Sequence, residues 1–185
     1  MIVGWILLAV VVIGIFWIIA SYNTLVQLRE NTKNGWSQID VQLKRRHDLI
    51  PNLVETAKGY MSHERATLEN VIKARQQAID ASNIKDKQLA ENLLTSTLRS
   101  LFAVSENYPN LKADRQMLQL HEEITSTENR ISFARQYYND EVNRLNTSVQ
   151  SFPDNFIANA FHFEKAEFFQ IDTPADKEAP QVKFS

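Results

Sequence analysis

The sequence predicts an all-α protein: an N-terminal transmembrane helix, then an antiparallel up-and-down four-helix bundle, then an aromatic-rich C-terminal tail. Three observations predict it. From Ile2 to Ala20 every residue is apolar or glycine, and the first charged side chain is Arg29. Beyond that run, apolar residues recur at three- and four-residue spacing along successive segments, the signature of one-sided helices. With only 4 Gly and 5 Pro in 185 residues, there is little material for a turn-rich β architecture.

The apolar run, residues 2–20, reaches roughly 28 Å as a helix, close to the hydrocarbon thickness of a bilayer. Trp5 and Trp17 stand towards its two ends, where amphipathic rings favour the interface, and are expected to anchor it. A cleaved signal peptide fits less well. No basic residues precede the run, the run is long, and Ile18-Ile19-Ala20 is a poor cleavage site. A lipidated anchor needs a cysteine, and the chain has none. Arg29, Lys33, Lys44, Arg45 and Arg46 follow the span. The positive-inside bias therefore predicts a single-pass protein with its short N-terminus outside and its soluble part cytoplasmic.

Residues 21–150 read as four helices, at about 21–48, 51–81, 84–106 and 112–150. The first carries the stripe Tyr22, Leu25, Arg29, Thr32, Trp36, Ile39, Leu43, Arg46 and Ile50, a coiled-coil-like spacing that begins two residues after the span. The membrane helix is therefore expected to run unbroken into the first bundle helix. Pro51 either kinks a very long helix or starts a new one, with Asp48 as a possible cap. The second stripe is Leu53, Ala57, Tyr60, Met61, Leu68, Val71, Ile72 and Ala78. Asn83 followed by Asp86 opens the third helix, with Leu89, Leu93, Leu94, Leu98, Leu101 and Phe102 facing inward. Asn107-Tyr108-Pro109-Asn110 ends it. In the fourth helix, Leu120, Ile124, Thr127, Ile131, Ala134, Tyr138, Val142, Leu145 and Val149 hold the spacing until Ser151-Phe152-Pro153. Four such amphipathic helices with short connections bury a shared core as an antiparallel bundle.

The tail, residues 151–185, holds seven of the ten Phe and is expected to be partly extended or flexible. Phe161, Phe163, Phe168, Phe169 and Phe184 are its expected contact residues, packing on the bundle, a neighbouring subunit or the membrane surface. The end, Pro180-Gln181-Val182-Lys183-Phe184, alternates as a strand added to a partner would.

At this point the sequence resembles the LemA family of bacterial membrane proteins. Nearly the whole chain carries the resemblance. It rests on Met1-Ile2-Val3-Gly4-Trp5, on Tyr22-Asn23-Thr24-Leu25-Val26, and above all on the block from Trp36-Ser37-Gln38-Ile39-Asp40 through Lys44-Arg45-Arg46-His47-Asp48 to Pro51-Asn52-Leu53-Val54. Lys58-Gly59-Tyr60, His63-Glu64, Tyr108-Pro109 with Leu111-Lys112-Ala113, and the run from Thr127-Glu128-Asn129 through Ala134-Arg135 to Tyr138-Asn139 continue it. The resemblance implies an up-and-down helical bundle behind one membrane helix, with Pro51 as a helix start, and a domain of poorly defined function. Magnetosome MamQ proteins look like relatives, and family members often accompany a membrane metalloprotease. One departure stands in the last helix, where members often repeat Tyr-Asn and this chain has Leu145-Asn146.

The candidates for chemistry are few. His63-Glu64 and His121-Glu122-Glu123 lack a second histidine four residues on, and no Glu-x-x-His pair supports a di-iron bundle. No metal site or cofactor is therefore expected. Nor do the residues offer a Ser-His-Asp order, a cysteine nucleophile or a glycine-rich phosphate loop, so no enzyme and no small-molecule substrate are expected. A net charge of -2, from 20 basic and 22 acidic residues, gives no field for nucleic acid.

The run Lys44-Arg45-Arg46-His47-Asp48 lies about 36 Å beyond the span along a straight helix, too far for the bilayer. It reads as an intramolecular network reaching Asp40, with Arg46 partly buried. Tyr22-Asn23 and Tyr138-Asn139 echo each other and are expected to meet at one level beside the membrane. Tyr22, Asn23, Trp36, Asp40, Arg45, Arg46, Tyr138 and Asn139 are thus the candidate interaction or structural residues. The function these features predict is a membrane-anchored, non-enzymatic scaffold that forms homo-oligomers, with a membrane protease or other envelope protein as a further partner. The alternative is a membrane-remodelling or envelope-stress protein that acts with a membrane metalloprotease or on the bilayer itself, the latter supported less well by polar faces poor in Lys and Arg.

Overall fold

The computed structural model describes residues 2–169, and Phe184 lies outside them. Among the described residues all regular structure is helical. The helices are α1 (Ile2–Lys58), α2 (Arg65–Asp80), α3 (Ile84–Ser105), α4 (Pro109–Lys112), α5 (Arg115–Gln150) and α6 (Asp154–Ala160). The chain divides into two compact units. Among the described residues the first takes 2–46 together with Ile124–Phe168, and the second takes His47–Glu123 together with Phe169.

In the first unit, α1 and α5 lie antiparallel. Arg46 meets Glu128, Trp36 meets Tyr138, Asn31 meets Glu141, and Ser21 meets Asp154 just past the end of α5. As one number falls the other rises. The α5 stripe read from the sequence is buried from Ile124 through Thr127, Ile131, Ala134, Tyr138 and Val142 to Leu145. Opposite it, Leu25, Ile39 and Leu43 are fully or almost fully buried. The stripe of α1 differs at three places: Tyr22 and Arg29 are exposed, and Gly35 rather than Trp36 is buried. A Cβ on Gly35 would lie 3.1 Å from the Tyr138 Cα, so glycine is what lets the two backbones approach.

In the second unit α2 packs against α3. Asn83 caps α3 by accepting from the Asp86 amide at 2.8 Å, as its position before Asp86 predicts. Asp114 caps α5 in the same way, accepting from the Met117 amide at 3.0 Å. The inward face of α3 departs from the sequence reading. Leu89 and Leu93 are exposed, while Gln88 and Glu91 are buried beside Leu94, Leu98 and Leu101. The reason is a specific partner: His47 Nε2 lies 2.8 Å from Glu91 Oε1, which makes burial of that carboxylate tolerable.

Pro51 is not a helix start. Helix α1 continues through it to Lys58, and the break comes at Gly59–Glu64, which opens on glycine, a poor helix former. A proline inside a helix leaves the carbonyl four residues earlier without its amide. That carbonyl belongs to His47, and the Arg75 Nε of α2 donates to it at 2.7 Å. The vacancy in the ladder is filled from a neighbouring helix, which is why the chain can keep turning.

A helix also appears in the tail, which the sequence reading left extended or flexible. The chain leaves α5 and forms α6, which buries Ile157 and Ala158. It then closes with a Schellman arrangement: the Phe163 amide donates to the Ala158 carbonyl at 2.9 Å and the His162 amide to Asn159 at 3.4 Å. His162 takes the left-handed position with φ 57°, where glycine is usual. This reversal turns Phe163 inward to join Leu25, Ile157 and Ala158 in one apolar cluster.

Candidate interaction surface

The apolar part of α1 is long and hydrophobic enough to cross a membrane, and none of its most apolar stretch is covered by the protein. Trp5 and Trp17 are exposed, Trp17 one turn before Ser21. Packing against the protein begins at once: Ser21 and Leu25 are both buried. Span and packed helix are one unbroken element, as the spacing predicts.

The two Tyr-Asn pairs do not meet. Tyr22 packs edge-on against Phe161 and Phe163, at 4.8 and 5.8 Å between ring centres. Tyr138 sits against Trp36 at 5.6 Å and donates its hydroxyl to the Glu167 carbonyl at 2.8 Å. Tyr22 and Trp36 are separated by about 21 Å along α1, so the echo in sequence is not a pairing in space. The cause is register: α5 and the turn after it run on until Asp154 reaches Ser21, which leaves Tyr138 well short of the span. Burial pushes the Tyr138 phenol above its usual range, and the Glu167 charge adds to this.

The charge run also divides. Lys44, Arg45, Asp48 and, one turn earlier, Asp40 are exposed. Arg46 is fully buried, more deeply than the sequence suggests, and is bonded to Glu128. Asn23 is exposed and Asn139 half-buried.

The tail residues fall into two groups. Phe163 and Phe169 are buried, whereas Phe161 and Phe168 remain exposed. Sequence reasoning missed what fastens the tail. Asn146 grips Ala166 twice, its Nδ2 donating to the Ala166 carbonyl and its Oδ1 accepting from the Ala166 amide, both at 2.9 Å. Lys165 donates to Gln150 at 2.9 Å. The segment after α6 thus runs back along α5. Asn146 is the half of the family's repeated Tyr-Asn pair that this chain keeps, and that was the available signal. Leu145 beside it, where the family pattern has Tyr, is buried.

Within the first unit α1 and α5 flank a groove of about 850 Å³. Ser37, Gln38, Val41, Arg130, Phe133 and Tyr137 are among the residues lining it. Phe133 is 72% exposed and Val41 63%, an uncovered apolar pair beside polar neighbours. Among the described residues no group of three or more His, Asp or Glu is placed to hold a metal ion. His63 and His162 are exposed, and His121 stacks on Phe102 at 4.2 Å.

A helix long and apolar enough to cross a bilayer runs on into an all-helical body, which defines a helical protein with one candidate N-terminal membrane span among its described residues. Residues 35–184 match the LemA family, and the chain belongs to that family. Among its relatives is Protein LemA of Metamycoplasma hominis, 26% identical over 170 residues, covering 90% of this chain and 77% of that protein. Magnetosome protein MamQ 2 of Paramagnetospirillum magneticum is 23% identical over 185 residues, covering 86% of this chain and 68% of the relative. Magnetosome protein MamQ of Magnetospirillum gryphiswaldense is 20% identical over the same shares.

Proposed function

We propose that this chain is a membrane-anchored, non-enzymatic scaffold that associates with itself through the groove beside α1 and α5. The apolar part of α1 is the bilayer anchor, the helical body is an up-and-down four-helix bundle, and the body lies on the cytoplasmic side of the inner membrane. The observation that carries the reading is the exposed pair Val41 and Phe133, on helices one of which continues into the anchor. Solvent-facing apolar side chains of that size beside one another mark a contact surface. The polar rim of Ser37, Gln38 and Arg130 suits an interface that forms between folded copies.

Sizing of the detergent-solubilised full chain tests the reading. The wild type is expected to run larger than a monomer, and Phe133→Glu to run as a monomer, because a carboxylate in the groove must be desolvated on contact. A monomer in both cases removes self-association. Side of the membrane is read separately, by whether a cysteine introduced at exposed Asp40 is labelled by an impermeant reagent in intact spheroplasts. Labelling would place the body outside and refute the cytoplasmic assignment.

A further inference from the structure

Three phenylalanines after α5 are left uncovered: Phe152 is 80% exposed, Phe156 62% and Phe161 54%. They are not scattered. Phe152 and Phe156 touch at 5.9 Å between ring centres, and Phe161 touches Tyr22. The segment that carries them is tied to α1 where the apolar span ends, since Ser21 Oγ donates to Asp154 Oδ1 at 2.7 Å. One turn further, Leu25 packs with Ile157 and Ala158.

The level at which this happens is set by charge. Between Ala20 and Arg29, α1 carries no charged side chain. Residues 21–28 rise about 12 Å, and the headgroup zone of one leaflet is roughly 5–8 Å thick. Helix α6 therefore sits beside an uncharged collar long enough to span the interface. Its single acid, Asp154, is engaged by Ser21 and by Ser148 at 3.2 Å. Ile157 and Ala158 face α1, so the Phe156 face points away from the protein.

We propose that α6 and the rings of Phe152, Phe156 and Phe161 form a foot that inserts into the interfacial layer of the bilayer that α1 crosses, with lipid as its occupant. The proposal rests on the anchor reading above. Lipid is favoured over a second copy because the patch is tied to α1 at Ser21 and Tyr22, where the apolar span ends, one turn beyond Trp17 in the zone where aromatic rings gather. Such a foot fixes the depth and the rotation of α1, because the rings lie to one side of it.

The absence of cysteine makes the test direct. Single-cysteine variants Phe156→Cys, Gly14→Cys and Phe133→Cys of the full chain are labelled with an environment-sensitive fluorophore. They are then reconstituted in phosphatidylcholine–phosphatidylglycerol vesicles that contain nitroxide lipids, shallow or deep. The expected result is a blue-shifted label at 156, quenched more by shallow than by deep nitroxide. The label at 14 is expected to be quenched more by deep nitroxide, and the label at 133 to be unquenched. Phe152→Cys repeats the first arm, so that one ill-folded variant does not decide the matter. If labels at 156 and 152 are unquenched while 14 is quenched, the foot is refuted and the anchor stands. That holds whether those labels sense water or are shielded by another copy. If 14 is unquenched as well, the anchor reading fails and the foot falls with it.

Discussion

The cleanest test of the fold's internal logic is a double-mutant cycle between Pro51 and Arg75. Pro51 deprives the His47 carbonyl of its amide, and the Arg75 Nε takes that place at 2.7 Å. A hydrogen bond from a charged donor contributes about 1.5–3 kcal/mol net, and its loss leaves a partly buried carbonyl without a partner. Arg75→Met keeps an unbranched stem and removes only the donor, so it should destabilise the wild type by about 1.5–2 kcal/mol. In the Pro51→Ala background the backbone amide restored at position 51 reaches the same carbonyl, and Arg75→Met should then cost about 0.5 kcal/mol or less. The coupling, about 1–1.5 kcal/mol, lies within the range for groups in direct contact. Pro51→Ala alone should be stabilising, by somewhat less than the roughly 3 kcal/mol that separates the two residues inside a helix. The assay is chemical denaturation of the full chain in detergent micelles, followed by far-ultraviolet circular dichroism. Equal costs for Arg75→Met in both backgrounds would refute the account and make Arg75 an ordinary packing residue.

Three further outcomes follow from the same packing. Gly35→Ala gains about 1 kcal/mol of helix propensity, yet its Cβ would meet backbone at 3.1 Å, and overpacking costs about 1–3 kcal/mol. Net destabilisation is expected in the same denaturation assay, and a gain of the full propensity term would show that α1 and α5 can part freely. Asn146→Ala should release the segment after α6 at a cost of about 1–2 kcal/mol, read as faster amide exchange at Ala166 with the rest of α5 unchanged. The Met117 amide holds the Asp114 carboxyl below the usual carboxylate range, with help from the Tyr60 hydroxyl. A lowered pKa stabilises the fold above the unfolded value, near pH 4, and that contribution is lost as pH falls through the folded value. Asp114→Asn should keep the cap but flatten the acid limb of melting temperature against pH, and an unchanged limb would show that this carboxylate is not part of it.

What the sequence discloses divides along a physical line. The apolar run and the α5 stripe were legible because one face of each is decided by solvent alone, lipid or core, over many turns. The face of α3 was not, because Glu91 is buried through a partner, His47, that lies 44 positions away. The Tyr22 and Tyr138 echo misled for a related reason: identical dipeptides say nothing about register, and here register is set by how far the chain runs past α5 before Asp154 meets Ser21. Pro51 was ambiguous because a proline ends a helix only if nothing else satisfies the orphaned carbonyl, and Arg75 cannot be assigned to that task from spacing. His162 holds a position usually given to glycine, so no composition signal marked the turn that brings Phe163 inward.

The continuity of α1 constrains how copies can meet. A helix unbroken from the span to Lys58 holds its azimuth, so the side of α1 that faces α5 at Leu25 still faces it at Ile39 and Leu43. Val41 then stands about 32 Å beyond the end of the span along that helix in every copy. Two copies anchored in the same leaflet order and sharing one orientation can bring their Val41 and Phe133 grooves together only side by side, about an axis along the membrane normal. That arrangement is isologous and closes on itself as a pair. A head-to-tail contact would instead pair the groove with a different patch at the same height and build a ring or an open array about that normal. On the proposed function the anchor would do more than retain the protein at the membrane, since it would remove the orientations in which one copy is tilted or inverted relative to another. A flexible Gly-Ser insertion after Ala20 should relax that selection and give larger, irregular oligomers on sizing. An unchanged size distribution would mean that the span is only a tether.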